Sequence, residues 1–415
     1  MPHLFDPWRL GPLALANRIV IAPMCQYSAV DGSAGDWHTI HLGHLALSGA
    51  GLLILEATAV CAEGRISAGD LGLYSDANEA ALARVLASVR HHSPITIAMQ
   101  VNHAGRKASV RAPWDGGAQV APDAPGGWRA LAPSPIPHVA GDAASIELDT
   151  DGLARIRADF AATAQRAARL GLQGLEIHAA HGYLLHQFLS PLSNQRRDAY
   201  GGSLENRMRF PLEVFDAVRA AFPAERPVWA RVSATDWVDG GWTLEDTVTF
   251  GHALAARGCA AIHVSTGGIS TAQNIPLGPG YQVPHAQRVK AEVGLPTIAV
   301  GLINEPEHAE AIVAGGAADA VAIARAMLYD PRWPWHAAAQ LGARIAVPKQ
   351  YLRSQPREFK HLFDTAASTG AAPGPSEPPG AAPGPSEPPG AAPGPSASTG
   401  AAPGPSGSTG EAPRP

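Results

Sequence analysis

His178, His181 and Tyr183 bring two imidazoles and a phenol together in the string His-Ala-Ala-His-Gly-Tyr. Such groups donate hydrogen bonds and exchange protons, so their clustering points to acid–base work on a bound small molecule. They stand directly after Gly174-Leu175-Glu176-Ile177, a run that reads as a buried strand. At the carboxyl end of a strand in an α/β barrel, side chains face the active site.

The elements needed to hold such a cluster are legible along the chain. Eight strand-like runs, Arg18–Ala22, Leu52–Glu56, Ile95–Met99, Gly174–Ile177, Val228–Val232, Ala261–Val264, Thr297–Val300 and Ala320–Ile323, are separated by helix-period segments. The clearest helices are Asn78–His91, Gly152–Leu170, Leu204–Ala221, Leu244–Ala256 and Glu305–Ala314. Eight βα repeats without a dinucleotide-binding glycine fingerprint imply an α/β fold of the (β/α)8 TIM-barrel type rather than a doubly wound sheet. The stretch Ala108–Thr150, after the third strand, is rich in Pro, Gly and Trp and too irregular for a helix. It is expected to form a lid over the barrel mouth.

Polar residues and glycines gather where the strands end. Pro23-Met24-Cys25-Gln26-Tyr27 follow the first strand, Ala57-Thr58 the second and Gln100-Val101-Asn102-His103 the third. The fifth ends at Arg231, the sixth at Ser265-Thr266-Gly267-Gly268, the seventh at Gly301 and the eighth at Ala324-Arg325. Glycines beside a cation after strands seven and eight suit a phosphate, held by backbone N–H groups and one guanidinium. A phosphorylated cofactor or substrate is therefore expected.

Composition narrows the class. The chain has 415 residues, 46% of them hydrophobic, and a net charge of −5, which gives no basic surplus to attract nucleic acid. Apolar stretches fall short of the roughly 18 residues that span a bilayer, and the N-terminus lacks a secretory pattern, so a cytoplasmic protein with no membrane partner is expected. Cys25, Cys61 and Cys259 are widely separated and show no CxxC spacing, which speaks against a disulfide framework or a zinc or iron–sulfur site. From Thr365 to Pro415 composition collapses almost entirely to Gly, Ala, Pro, Ser, Thr and a few Glu, with Gly-Ala-Ala-Pro-Gly-Pro-Ser starting at Gly370, Gly380, Gly390 and Gly400. This reads as a disordered tail behind a catalytic domain of residues 1–364.

The order of Pro-Met-Cys-Gln-Tyr, Glu-Ala-Thr-Ala-Val, Gln-Val-Asn-His-Ala-Gly-Arg, His-Ala-Ala-His-Gly-Tyr-Leu-Leu-His-Gln-Phe-Leu-Ser-Pro and Tyr-Gly-Gly-Ser-Leu-Glu-Asn-Arg resembles the old yellow enzyme family of flavin-dependent ene-reductases. Within it the chain is most similar to the bacterial thermophilic-like branch of NADPH dehydrogenases, over nearly all of residues 1–362. The resemblance implies tightly but non-covalently bound FMN, reduced at N5 by NADPH. Hydride then passes to the β-carbon of an activated alkene, an α,β-unsaturated carbonyl or nitro compound.

It also implies roles. His178 and His181 match the pair that holds the substrate carbonyl oxygen, where two donors stabilise developing negative charge. Tyr183 matches the proton donor to the α-carbon, and Tyr27 a residue of the substrate pocket. Cys25 matches a cysteine beside the flavin ring, with Pro23, Met24 and the Ala57 backbone around it. Gln100 and Arg231 match the contacts to the uracil-like edge of the flavin. Gly301, Ala324 and Arg325 match the phosphate grip, with Gly267 and Gly268 as further contributors. Gln350-Tyr351-Leu352-Arg353 resembles the element by which this branch sends an arginine into the neighbouring active site. This implies a homodimer or dimer-based homotetramer, although Leu352 and Ser354-Gln355-Pro356 depart from the usual ending.

Two other enzymes compete on residues alone. A metal-dependent TIM-barrel hydrolase would use His178, His181 and His186 as ligands, but no carboxylate stands at a strand end beside them. A dienoyl-CoA reductase type would need clustered cysteines for its iron–sulfur centre, which the chain lacks. A non-catalytic scaffold carrying the Pro-rich tail is the remaining alternative.

Overall fold

Eight parallel strands close into a barrel in chain order: Ile19–Ile21, Leu52–Ala59, Thr96–Asn102, Leu175–Ala179, Val228–Ser233, Ile262–Ser265, Thr297–Ala299 and Ala320–Ile323. The last pairs with the first through Val321 and Ile19, Ala322 and Val20, and Ile323 and Ile21. This computed structural model describes residues 3–365. The expected disordered tail lies outside the described residues from 366 on. Thr365, which composition alone assigned to that tail, ends a short strand, Phe363–Thr365, paired with Ile345–Val347.

The strands are buried along their length, as parallel strands covered by helices must be. Several of them run further than their apolar stretches: the second to Ala59, the third to Asn102, the fourth to Ala179, the fifth to Ser233 and the sixth to Ser265. Ala57, Gln100 and His178 therefore stand on strands and not after them. In a sequence, polar residues suggest the end of a strand because burial normally excludes them. Here Gln100 and Glu176 stay inside because they bond each other from neighbouring strands at 2.7 Å.

Helices form where the sequence supplies both an apolar face and a cap. Asp76–His92 starts on Ser75, whose hydroxyl accepts the Asn78 N–H, and Thr150–Arg169 starts on Asp149 in the same manner. Leu244–Ala255 opens with a reciprocal pair between Thr243 and Asp246. Helices Asp36–Ala46, Val283–Val293 and Trp333–Leu341 complete repeats whose helices are less clear in the sequence; the first carries three histidines and a glycine and has almost no apolar periodicity. The hairpin of Trp8–Leu10 and Leu13–Leu15 was also missed. The segment after the third strand holds a 3-10 turn at Pro113–Asp115 and a small parallel pair, Leu131–Ala132 with Ile146–Glu147. It is tied down by Arg196, whose guanidinium donates to the carbonyls of Pro133 and Leu148.

Candidate active site

The third to sixth strands build one half of the barrel mouth. His178 is buried opposite Arg231 of the fifth strand. Its Nδ1 accepts the Ala180 N–H at 3.2 Å, so the ring proton sits on Nε2. Beyond it the chain turns sharply. His181 takes φ +58°, donates its N–H to Ser233 Oγ at 2.9 Å and places Nε2 2.7 Å from Ser265 Oγ. Gly182 permits the turn at φ +74°; a Cβ there would come within 2.1 Å of the Gly268 carbonyl oxygen, so two strand ends meet backbone to backbone.

The two imidazole centroids lie 5.0 Å apart, and the Tyr183 ring lies 4.9 Å from that of His178. Burial, and then the positive charge of Arg231, hold both imidazoles well below their usual range. They are neutral donors at physiological pH. Burial pushes the Tyr183 phenol well above its ordinary value, so it keeps its proton. Lys107 completes this wall: its Nζ donates to the carbonyls of His181 and Gly268 at 2.9 and 3.2 Å and stands 5.1 Å from the centre of the Tyr183 ring. Burial, with repulsion from Arg106, brings its ammonium down to about 8.

Cys25, Tyr27 and Tyr183 pack on one small apolar cluster of Ile66, Ala104, Ala108 and Ala130. The segment beginning at Ala108 thus contributes a wall of the site. Burial and then the Asp70 carboxylate raise the Cys25 thiol well above its usual range, against the pull of the Ala57 N–H. It is a neutral thiol. Pro23 and Met24 are half-buried beside it, Met24 against the main core. Tyr27 takes φ +50° and meets Trp114 edge-on, with ring centroids 5.6 Å apart.

Below them, Glu176 accepts from Gln100 Nε2 and Trp229 Nε1, both at 2.7 Å, and lies 2.7 Å from His263 Nδ1. Arg231 differs from every neighbour. It is only 7% exposed, its Nε has no partner, and the guanidinium makes no hydrogen bond among the described residues. Leaving a buried cation so poorly paired costs several kcal/mol, which marks the position as one kept for a ligand. Arg231 borders a cavity of about 180 Å³ whose wall also includes Ser265, Gln282, Gly301, Ala324 and Arg325. Gly301 lies at φ +126°, and a Cβ there would sit 2.8 Å from Gln282 Nε2. Ala324 precedes the short helix Arg325–Tyr329, and the Arg325 side chain is exposed at its start.

A family model described as NADH:flavin oxidoreductase / NADH oxidase matches residues 3–343. The chain belongs to the old yellow enzyme, or NADH:flavin oxidoreductase, family. Among its relatives, the NADPH dehydrogenase of Listeria innocua is 42% identical over 356 residues, covering 85% of this chain and 99% of that protein. The NADPH dehydrogenase of Geobacillus thermodenitrificans is 41% identical, covering 84% and 98%. Of solved structures, morphinone reductase is 30% identical with a TM-score of 0.66, covering 88% of this chain and 97% of its own. 2-Naphthoyl-CoA reductase shares the fold at a TM-score of 0.73 and 24% identity, and this chain spans about half (52%) of its length.

As a member of this family the protein is a flavin oxidoreductase, and its site residues divide clearly. His178, His181, Tyr183, Cys25 and Tyr27 come together at one side of the mouth; Gly301, Ala324 and Arg325 line the other, and Arg231 stands between them. Gly267 and Gly268 do not serve the phosphate role assigned to them. Their N–H groups are taken by the Thr235 carbonyl at 2.8 Å and by Gln273 Oε1 at 2.6 Å. His186 does not join the other histidines: it is fully buried, 2.9 Å from Asp236. Arg353 lies exposed in the 3-10 turn Lys349–Ser354, and among the described residues no contact brings it to this site.

The unpartnered guanidinium of Arg231, the glycine cradle at Gly301 and the exposed Arg325 fit a ring with a polar, anionic edge and a phosphate at its far end. Lys107, Glu176 and His263 also belong to this site, although none stands out in the sequence as a site residue. Glu176 left a signal, being a lone carboxylate between Leu175 and Ile177 in a buried run. Lys107 follows directly on the Gln-Val-Asn-His-Ala-Gly-Arg motif.

Proposed function

We propose that this protein is an FMN-dependent ene-reductase that takes reducing equivalents from NADPH, with residues 1–364 as its catalytic unit. The observation that carries the reading is the grouping of two neutral imidazoles and a protonated phenol on one wall of the mouth. Bound FMN supplies hydride exchange at N5, with NADPH as donor and the alkene β-carbon as acceptor. Gln100 and Arg231 would hold the polar edge of its ring, Pro23, Met24, Cys25 and Ala57 the ring's surroundings, and Gly301, Ala324 and Arg325 its phosphate.

His178 donates through Nε2. For His181, the Ser265 hydroxyl lies 2.7 Å from Nε2 and 3.2 Å from Gln282 Oε1; turning its hydrogen to the nearer Nε2 leaves the ring proton on Nδ1. Both rings then present a donor to the oxygen of an enone, enal, maleimide or nitroalkene. Because that oxygen gains negative charge as hydride arrives, neutral donors already in place lower the barrier. Tyr183 delivers its proton to the α-carbon, whose basicity as an enolate carbon exceeds that of a phenolate. Tyr27 and the lid bound the substrate space. Lys107, over the Tyr183 ring, favours the negative charge that the phenol acquires.

The similarity to the thermophilic-like branch supports a homodimer or dimer-based homotetramer in which Arg353 reaches the neighbouring site. Arg353→Ala should then raise the apparent KM for enones; unchanged KM and kcat would leave Arg353 an ordinary surface residue. Three free cysteines suit a cytoplasmic setting. Among the described residues no helix is long and apolar enough to cross a membrane.

The deciding experiment is an anaerobic absorption titration of the full chain with NADPH and then 2-cyclohexenone. Flavin bands should bleach with the first and return with the second. Failure to take up FMN on reconstitution would overturn the reading.

A further inference from the structure

Glu176 has no task in the reaction proposed above, yet its side chain is fully buried in the middle of the barrel. An unpaired carboxylate there costs several kcal/mol, so the groups around it show what it is kept for. Oε1 accepts from Gln100; Oε2 accepts from Trp229 and faces His263. In the strand registers, Gln100, Glu176 and Trp229 lie opposite one another, and two residues further along His178, Arg231 and His263 do the same. The carboxylate thus occupies the level beneath Arg231 and ties four adjacent strands together.

Two consequences follow from this placement. The Gln100 amide is planar, and with Nε2 bonded to a carboxylate oxygen it cannot flip, since its own oxygen would then oppose that carboxylate. Gln100 Oε1, free of any donor among the described residues, is held as an acceptor for a ring N–H. In addition, Glu176 is foremost among the neighbours that support the charge of the otherwise unpaired Arg231.

We infer that Glu176 is a positioning residue for the polar edge of the flavin, fixing the Gln100 amide and setting a negative charge beneath Arg231. It thereby governs how tightly oxidised FMN is held and how far its reduction is favoured. The inference rests on the FMN reading of the site. It adds a residue that touches neither substrate nor cofactor.

The test uses full-length apoprotein, titrated with FMN by fluorescence quenching, and the two-electron potential of the reconstituted protein measured against a reference dye. Glu176→Gln keeps the shape, removes the charge and lets the Gln100 amide turn over. Its affinity for oxidised FMN should fall roughly tenfold, the worth of one charge-assisted hydrogen bond. The reduced form should gain about tenfold relative to the oxidised one, a rise of about 30 mV. Glu176→Asp keeps the charge but withdraws it from Gln100, so affinity should fall while the potential stays with that of the wild type.

Wild-type affinity and potential in both variants would overturn the inference. So would a loss of apoprotein melting temperature with no change in potential for Glu176→Gln, which would mean that the carboxylate serves packing. Should Glu176→Gln yield no folded protein, the affinity of Glu176→Asp decides in the same sense. If wild-type apoprotein itself takes up no FMN, the flavin reading fails and this inference with it.

Discussion

Around the third to sixth strands, the polar groups of the barrel mouth hold one another: Gln100 on Glu176, His178 on the Ala180 N–H, His181 on Ser233 and Ser265. Around the seventh and eighth, Gly301, Ala324 and Arg325 surround a cavity with backbone and one exposed guanidinium. The first region is preorganised by side-chain networks, as chemistry on a developing charge requires. The second needs only room and positive potential, which a bound phosphate can order for itself. Arg231 stands between them, anchored by neither.

The largest effect should come from the preorganised half. His178→Ala is expected to slow reduction of an enone by roughly 10²–10³, the usual loss for one oxyanion-type donor, while flavin content is retained. Steady-state and single-turnover kinetics measure this, and unchanged rates would remove the distinction between the two halves.

Arg231→Met should weaken FMN binding by roughly 10², consistent with about 2–5 kcal/mol for a buried charge-pair partner. The same change should leave the apoprotein at least as stable, because it removes a buried cation without a hydrogen-bond partner. Calorimetry of apoprotein and titration with FMN give the two readings. A less stable apoprotein would show that Arg231 is part of the fold.

A smaller effect is expected from the open half. Arg325→Ala should cost roughly tenfold in FMN affinity at low salt and less at high salt, with little change for riboflavin, which lacks the phosphate. Equal losses for FMN and riboflavin would place Arg325 at the ring instead.

The smallest concerns Lys107. Its folded pKa of about 8 lies below the roughly 10.4 of an unfolded lysine, so between these values the unfolded chain binds more protons. Stability contributed at this site should therefore rise with pH from about 8 to about 10. Melting temperatures of Lys107→Met should lack that component, and parallel pH profiles for variant and wild type would refute it.

Much of this division can be read before folding is considered. The string from His178 to Tyr183 points to the proposed reactive side because imidazole and phenol are rare so close together, and Gly301 with Arg325 points to the proposed phosphate side. Glu176 and His263 are 87 positions apart, and nothing local in either predicts their pairing at 2.7 Å. Gly267 and Gly268 mislead for the same reason: a glycine advertises an available N–H, and only the fold shows that Thr235 and Gln273 have taken it.

What the sequence determined by itself is the alternation of short apolar runs with capped helices. With right-handed crossovers, eight such repeats can bury both strand faces by closing into a barrel. It also determined which chemical groups arrive at the carboxyl ends. The tertiary structure alone decided where those groups find partners. It placed the proton of His178 on Nε2, held the thiol and phenol more firmly in their neutral forms by burial, and left Arg231 without a hydrogen bond among the described residues. Those outcomes depend on desolvation and on contacts between distant strands, which no local pattern encodes.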